Sequence, residues 1–317
     1  MAGLRVHLWG TRGSIPVAQT GPEIEARLRH ALAAYRAAGC PADLEGFLRD
    51  LPFATRRTYG GDTCCVEVSA GGPEILALDG GSGLRRLGDA LMRQRTGPQT
   101  VHLFFSHFHW DHIQGLPFFR PAYLPGNVVH FHAVQPDLRT ILYRQQHPDN
   151  FPVDLDYMQA TFRFHRVNCG RAVRAAGCTL RAFPHHHPGG AYGYVVEGAG
   201  RKVVYSTDCE YTDMTPAEIS RVVTTFRGAD LLIFDAQYTP EEAVSSRYQW
   251  GHSTFAMGVD LARLAGVRRL CFFHHDPASS DEHLAEMFAA AQKYVSLQSG
   301  PTPCELFWAH DGMEFTL

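Results

Sequence analysis

Long apolar runs are missing. Nowhere in the 317 residues do about 18 apolar side chains stand together, so no membrane span is expected. The first nine residues, Met1 to Trp9, hold neither a long apolar stretch nor a cleavage site of the kind a secretory leader needs. Charge is nearly balanced at a net −3, which provides no broad basic field for nucleic acid and leaves only a local basic groove open. Cysteine pairing is absent too: the 8 cysteines are scattered, Cys64 and Cys65 are neighbours, and there is no CxxC. A chain this long and this rich in apolar strands does not need disulfides, so the expectation is reduced, mostly buried thiols in a cytoplasmic protein. No internal repeat, charge run or low-complexity linker divides the sequence, and a single domain over 1–317 is expected. What stands out is histidine, 18 of them, gathered around particular loops.

Hydrophobic periodicity orders the rest. A first strand over 5–9 ends in the turn Gly10-Thr11-Arg12-Gly13-Ser14, which matches no phosphate-cradling loop and reads as a structural turn bordering a site. Ile24, Leu28, Ala31, Leu32 and Tyr35 fall at helical spacing between Pro22 and Gly39, and a shorter helix covers 42–50. This helical insertion, about 20–52, is expected to pack against the core or to serve as a lid or oligomer contact. Strands follow at 64–69 and 74–78 as a hairpin, then a helix over 84–95, a strand over 101–105, a strand over 128–133 and a helix over 136–146. Residues 148–160 read as irregular, and strands at 161–167, 179–183, 192–197 and 202–205 form a dense β region. The last third alternates: helices over 216–226, 254–264 and 281–293, strands over 231–234 and 269–273, and a closing pair at 305–308 and 313–316. Strands that first pair locally and then alternate with helices predict an α/β protein with two sheets sandwiched by helices.

The chemistry concentrates in Ser106-His107-Phe108-His109-Trp110-Asp111-His112, directly after the strand 101–105. His107 and His109 are two apart and project from one side of an extended backbone. Asp111 and His112 follow once the chain has turned, and Gln114-Gly115 and Pro117 mark a loop. Imidazole nitrogen suits zinc and similar ions, and a carboxylate adds a harder oxygen. One tetrahedral ion cannot easily use all four groups, because adjacent Asp and His side chains diverge; two ions can share them. Further ligands are then expected at strand ends, where three places qualify: His185-His186-His187, Asp208, and His274-His275-Asp276.

Taken in order, HxHxDH at 107–112, His187, Asp208 and His274 resemble the metal motifs of the metallo-β-lactamase superfamily. Its members share an αββα sandwich, two mixed β-sheets flanked by helices, and a two-metal hydrolytic site. The resemblance covers essentially the whole chain outside residues 18–58. It implies that His107, His109 and His187 hold one ion, that Asp111, His112 and His274 hold the other, and that Asp208 bridges them. The ions would be zinc, with manganese or iron able to use the same ligands. His187 is preferred to its neighbours because Pro188-Gly189-Gly190 and Gly193-Tyr194 resemble the family's third motif; His185 and His186 are left as orienting or substrate-contact groups. His274 is preferred to His275 on strand and motif spacing, and Asp79 resembles the family's buried acid that orients a ligand loop.

Oxygen reductases of this fold carry Glu where this chain has His109, which disfavours a di-iron redox role. Leu231-Leu232-Ile233-Phe234-Asp235-Ala236 and Trp250-Gly251-His252-Ser253-Thr254 resemble the paired motifs of transfer-RNA 3′-processing endonucleases and related phosphodiesterases. Asp235 stands where those endonucleases have Glu and Phe234 where they have His, and no Gly/Pro-rich arm for gripping transfer RNA is visible. With Trp9 to Ser14, the set looks closer to members acting on small or cyclic phosphodiesters. The expected activity is therefore phosphodiester hydrolysis: two ions clamp the phosphoryl oxygens and acidify a water between them. His252, oriented by Asp235, would act as general acid or phosphate contact, with Asp111 also in the catalytic set. Alternatives are a lactone, thioester or β-lactam hydrolase, an RNA 3′-processing endoribonuclease, and a metal-stabilised binding protein. A small phosphodiester is the expected partner, nucleic acid is less favoured and no membrane is involved; similar proteins are usually dimers, and 22–51 is a candidate contact.

Overall fold

The computed structural model describes residues 3–94, 96–211, 214–298 and 304–317. In chain order the elements are β1 (Arg5–Gly10), α1 (Gly21–Ala37), α2 (Leu44–Asp50), α3 (Phe53–Arg56), β2 (Cys65–Ser69), β3 (Ile75–Leu78), α4 (Gly83–Arg93) and β4 (Thr100–Phe104). They continue with α5 (Trp110–Ile113), β5 (Val128–Ala133), α6 (Leu138–Gln145), β6 (Thr161–Arg166), β7 (Val173–Ala175), β8 (Cys178–His185), β9 (Ala191–Gly198) and β10 (Arg201–Ser206). The last third holds α7 (Pro216–Phe226), β11 (Leu231–Asp235), α8 (Pro240–Ser245), α9 (Phe255–Ala265), β12 (Arg269–Phe273), α10 (Asp281–Ser296), β13 (Glu305–Trp308) and β14 (Met313–Thr316). Arg95, the far end of the helix expected over 84–95, lies outside the described residues.

The strands form two mixed sheets of 7, ordered β14-β1-β2-β3-β4-β5-β6 and β13-β12-β11-β10-β9-β8-β7. In the first, β3 to β6 run parallel and β14, β1, β2 and β3 pair antiparallel. In the second, β7 to β10 pair antiparallel and β10 to β13 run parallel. Alternation along the strands decides the layers. Val6, Leu8, Val66, Leu76 and Phe104 of the first sheet meet Leu180, Val196, Tyr205, Ile233 and Phe273 of the second in a central apolar layer. On the outer faces, Leu84, Leu87 and Leu91 of α4 cover Val101, Leu103, Val129 and Phe131, while Phe255, Val259 and Ala262 of α9 cover Val204, Leu232, Phe234 and Phe272. β11 is buried along its whole length, as a parallel strand covered on both faces must be. This is an αββα sandwich.

The helices start and stop on local signals. A capping box of Thr215 and Glu218 with Pro216 opens α7, and Thr254 caps α9, which ends at Gly266 in the left-handed region. The insertion behaves differently from the expectation that its apolar stripe packs on the core. No residue of α1 is buried; Ile24, Leu28 and Leu32 are 47%, 60% and 62% exposed. The helix is tied down mainly by polar contacts, Arg27 to Asp281 and to the Arg57 carbonyl. Five further elements differ from the sequence reading: α3 and α5, short helices where none was expected, β7, which pairs with β8 around Ala176-Gly177, the short α8, and β8 itself, which runs on through Pro184 to His185. Among the described residues no helix is long and apolar enough to cross a membrane, and all eight cysteines are free, six of them buried.

Candidate metal centre

Strand ends from both sheets deliver the site. β3 leads into Asp79, β4 into 105–112, β8 into 185–187 and β10 into Asp208, β11 closes on Asp235, and β12 leads into His274. Asp79, Asp208 and His274 all have left-handed φ, at 60°, 54° and 63°. That conformation is unfavourable for a side-chain-bearing residue and persists only where the surroundings hold it. Here it turns each polar side chain away from its strand at the point where the apolar layer ends.

All seven side chains expected to bind metal converge. On one side, His187 Nε2 lies 3.2 Å from His109 Nδ1, and Asp208 Oδ1 lies 3.8 Å from Nε2 of both His107 and His187. On the other, His112 Nε2 lies 3.2 Å from Asp111 Oδ2 and 3.2 Å from Asp208 Oδ2. His274 Nε2 lies 3.1 Å from Asp111 Oδ2 and 3.3 Å from Asp208 Oδ2. Asp208 thus turns one oxygen to each group. Cys64, which nothing in the sequence marked, brings its thiol among Asp111, His112 and His274.

Whether these residues suit metal ions can be judged from their unspent hydrogen-bonding capacity. Nε2 of His107 and of His112 are buried without a hydrogen-bond partner, although His112 Nε2 is in close contact with two carboxylates. Buried polar atoms of this kind are rare and call for an explanation such as an ion. Donor atoms crowded together without hydrogen-bond alignment are aimed at common points. The opposite ring nitrogens are engaged: His112 Nδ1 donates to Asp79 (2.8 Å), His187 Nδ1 to the Gly251 carbonyl (2.9 Å) and His274 Nδ1 to Gln237 Oε1 (3.0 Å). This is the pattern by which orienting groups fix the tautomer of a metal-binding imidazole. The donor set, imidazole with carboxylate, suits zinc, manganese or iron, so the residues fit divalent metal ions.

The histidines and carboxylates of the cluster shift one another. Burial works to lower His112 and His274, but the carboxylates of Asp111 and Asp208 raise both well above the ordinary imidazole range. Burial would raise Asp111 and Asp208, yet the facing histidines hold them well below the carboxylate range. In His107, burial and the neighbouring His112 push the pKa well down, leaving a neutral ring.

Asp79 is fully buried and accepts from the Ser106 backbone N (2.7 Å), Ser106 Oγ, Tyr205 Oη and His112 Nδ1 (each 2.8 Å). It therefore fixes both the start of the 106–112 loop and one of its rings. The turn 10–14 does border the site. Gly13 N donates to the His275 carbonyl (2.9 Å), and Ser14 N donates to Asp111 Oδ2 (2.7 Å). Ser106 precedes the motif directly and Gln237 lies two residues past Asp235, so both were within reach of a sequence search for orienting groups; neither was singled out.

The remaining histidines separate. His185 is spent on Thr207 O (2.8 Å) and Ser206 Oγ (3.2 Å), and burial lowers its pKa to about 4. His186 points to Glu218 (3.3 Å), away from the cluster. His275 donates to Ala309 O (2.8 Å) and stacks on Trp308; burial lowers its pKa to about 3.

Asp235 is fully buried at the end of β11 and accepts from His252 Nδ1 at 2.8 Å, as well as from the Gln237 backbone N at 3.1 Å. The His252 ring lies 4.9 Å from His274 and 5.2 Å from His187. One of its ring nitrogens falls within 4.8 Å of a ring nitrogen of His187 and a carboxylate oxygen of Asp208, close enough to join the first group of ligands. His252, Asp208, His274, His109, Asp111 and Trp110 share an open cavity of about 380 Å³.

Known proteins extend this. A family model for the β-lactamase superfamily domain matches residues 75–275. The chain is 29% identical to ribonuclease Z of Natronomonas pharaonis over 261 residues, which cover 67% of this chain and 81% of that protein. It is 28% identical to ribonuclease Z of Haloferax volcanii over 278 residues, covering 69% and 84%. Among solved structures, the metallo-β-lactamase fold protein YhfI from Bacillus subtilis shares the fold at TM-score 0.65 and 15% identity, over 99% of both chains. A diphosphatase from the PhnP family does so at 0.60 and 19%, over 99% of this chain and 98% of the other. A chain matched by that family model over most of its length, with this fold and this cluster of ligand side chains, belongs to the β-lactamase superfamily and is a metal-dependent hydrolase of it.

Proposed function

We propose that the protein hydrolyses phosphodiester bonds at a dinuclear centre, with a small or cyclic nucleotide-type phosphodiester as substrate. His107, His109 and His187 would hold one ion, Asp111, His112 and His274 the other, and Asp208 would bridge. Two divalent ions there would supply charge to the phosphoryl oxygens and acidify a water between them. The residues do the rest. Asp235 accepts a hydrogen bond from His252 Nδ1, which leaves Nε2 for the cavity and holds the ring in one orientation. As water loses a proton to solvent and forms its bond to phosphorus, the bond to the leaving alkoxide breaks and His252, entering the step as the imidazolium paired with Asp235, gives that alkoxide its Nε2 proton.

The observation carrying this reading is the Asp235–His252 pair beside the ligand cluster. An alkoxide leaving from phosphorus needs a proton, which a second imidazole with its own buried carboxylate can give, and the relatives named ribonuclease Z tilt the choice from carboxylic ester or lactam towards phosphodiester. A cavity of about 380 Å³ is in the range of small-ligand pockets. The relatives named ribonuclease Z favour a second reading, cleavage at the 3′ side of a folded RNA. Metal-loaded protein assayed on a bis-aryl phosphate, 2′,3′- and 3′,5′-cyclic nucleotides, a 3′-extended transfer-RNA precursor, lactones and a chromogenic lactam separates these readings. Turnover of the phosphodiesters is expected. Cleavage of the RNA alone would replace the small-substrate reading, and activity only on lactone or lactam would overturn both.

A further inference from the structure

Away from the cavity, one stretch of the layer between the sheets is not apolar. Strand alternation puts His102 of β4, His130 and His132 of β5, and His165 of β6 on the inner face of the first sheet. The register pairs His102 with His130 and His132 with His165 across neighbouring strands. The rings form a stacked array: His102 and His130 are 4.5 Å apart, His132 and His165 4.6 Å, and His132 lies flat on Phe104 at 4.0 Å. Edge contacts link the stacks, with His102 Nδ1 at 3.1 Å from His132 Nε2 and His130 Nδ1 at 2.8 Å from His165 Nε2.

Packing does not account for this. A layer that elsewhere uses Leu, Val and Phe gains nothing from imidazoles, each of which brings two polar atoms that must be satisfied. One of them is not: His132 is 4% exposed and its Nδ1 is buried without a partner. Glu74 gives the direction of the network. Its Oε2 lies 3.4 Å from His102 Nε2, and a carboxylate accepts, so Nε2 carries the proton and Nδ1 is left as a lone pair facing His132. This repeats at a second place the carboxylate–imidazole arrangement that Asp79 makes with His112. One nitrogen each from His102, His130 and His132 lies within 4.8 Å of the other two. Burial is the main cause lowering all four pKa values, that of His132 to about 2, so the rings are neutral and their lone pairs are not taken by protons.

We propose that His102, His130 and His132 form a further metal site between β4 and β5. Glu74 orients His102 and His165 orients His130. An all-imidazole set takes one borderline transition-metal ion, zinc or copper rather than magnesium or calcium. The ion would replace the hydrogen that His132 Nε2 shares with His102 Nδ1, the proton of His132 moving to its unpartnered Nδ1, with His130 turning its half-buried ring to complete the set. Glu74 lies just ahead of β3, and its Oε2 also accepts from the Ala176 backbone N (3.1 Å) in the β7–β8 turn, so a filled site would brace the first sheet against the second.

Full-length protein, stripped with chelator and reloaded with zinc, should bind one more ion per chain in the wild type than in His130→Gln, counted by elemental mass spectrometry. Loading with Cu²⁺ should show nitrogen hyperfine coupling that weakens in the same variant. The readout is the difference of one equivalent, so it does not depend on how many ions the cavity holds. Turnover per cavity ion should be unchanged. His165→Gln removes only an orienting group from a partly exposed position, so it should keep the stoichiometry and weaken the extra ion about 10–100-fold, which covers the case in which His130→Gln does not fold. Equal ion counts and equal zinc affinity in the wild type and the folded variants would overturn the proposal.

Discussion

Replacing Asp79 by Asn changes hydrogen-bonding capacity with almost no change in volume. Oδ2 of Asp79 accepts three donors, Ser106 Oγ, Tyr205 Oη and His112 Nδ1, and Oδ1 accepts one, the Ser106 backbone N. An Asn side chain does least harm with its carbonyl at the Oδ2 position, which sets its NH₂ against the Ser106 N–H. One buried donor is then left without an acceptor, a loss of about 1–3 kcal/mol. His112 also exchanges a charged acceptor for a neutral one. Losing an orienting group of this kind weakens metal binding by about 10–100-fold. The two effects can be read separately: the urea midpoint of metal-free protein for the first, and competition for zinc against a chelator of known affinity for the second. Both should fall, and only the ion held through His112 should weaken. If the midpoint falls while the affinity stays at the wild-type value, Asp79 is scaffold alone and its role in orienting a ligand is wrong.

Three further outcomes follow from particular contacts. A Cβ added at Gly13 would stand 2.5 Å from His274 Nδ1, so Gly13→Ala should push His274 aside and weaken one cavity ion by more than the roughly 10–100-fold of an orienting group; isothermal titration with zinc reads it. Asp311 accepts from the Gly61 and Asp62 backbone N–H groups, and burial raises its pKa from 3.8 to about 6. A raised acid favours the fold below its unfolded pKa and loses that contribution as pH rises through about 6. Asp311→Asn should therefore gain on the wild type between pH 4 and pH 8 by up to about 3 kcal/mol, seen in urea midpoints at the two pH values; a difference that does not change with pH would contradict it. Removing metal should abolish turnover of the phosphodiesters and leave the far-ultraviolet dichroism of the sandwich largely intact, because the central apolar layer does not depend on the cavity.

Much of the fold and of the ligand cluster could be read from the sequence because their signals are dense and local. HxHxDH packs four potential ligands into six positions, and the later candidates each stand at the end of an apolar strand. The sequence was less informative where the deciding quantity is a backbone angle or a neighbour. Nothing in the letters indicates that Asp79, Asp208 and His274 take left-handed φ, yet that turn is what points His274 into the cluster and His275 into Trp308. Periodicity marked an apolar stripe on α1 but could not say that, among the described residues, its Ile24, Leu28 and Leu32 stay exposed. β7 was missed because three residues with Arg174 at the centre carry too little pattern. α8 was missed although Thr239, Pro240 and Glu242 form a readable capping box. The inward-facing histidines of β4, β5 and β6 went unread because period-two spacing in an edge region is what an exposed face also shows.

His252→Ala tests the central claim most directly, through kcat on a phosphodiester measured beside the metal content of the same sample. The proposed role predicts a fall in kcat of about 10²–10⁴-fold with the ion count unchanged. A loss of activity that tracks a loss of metal would instead make His252 a ligand together with His187 and Asp208, and unchanged turnover would remove it from the reaction.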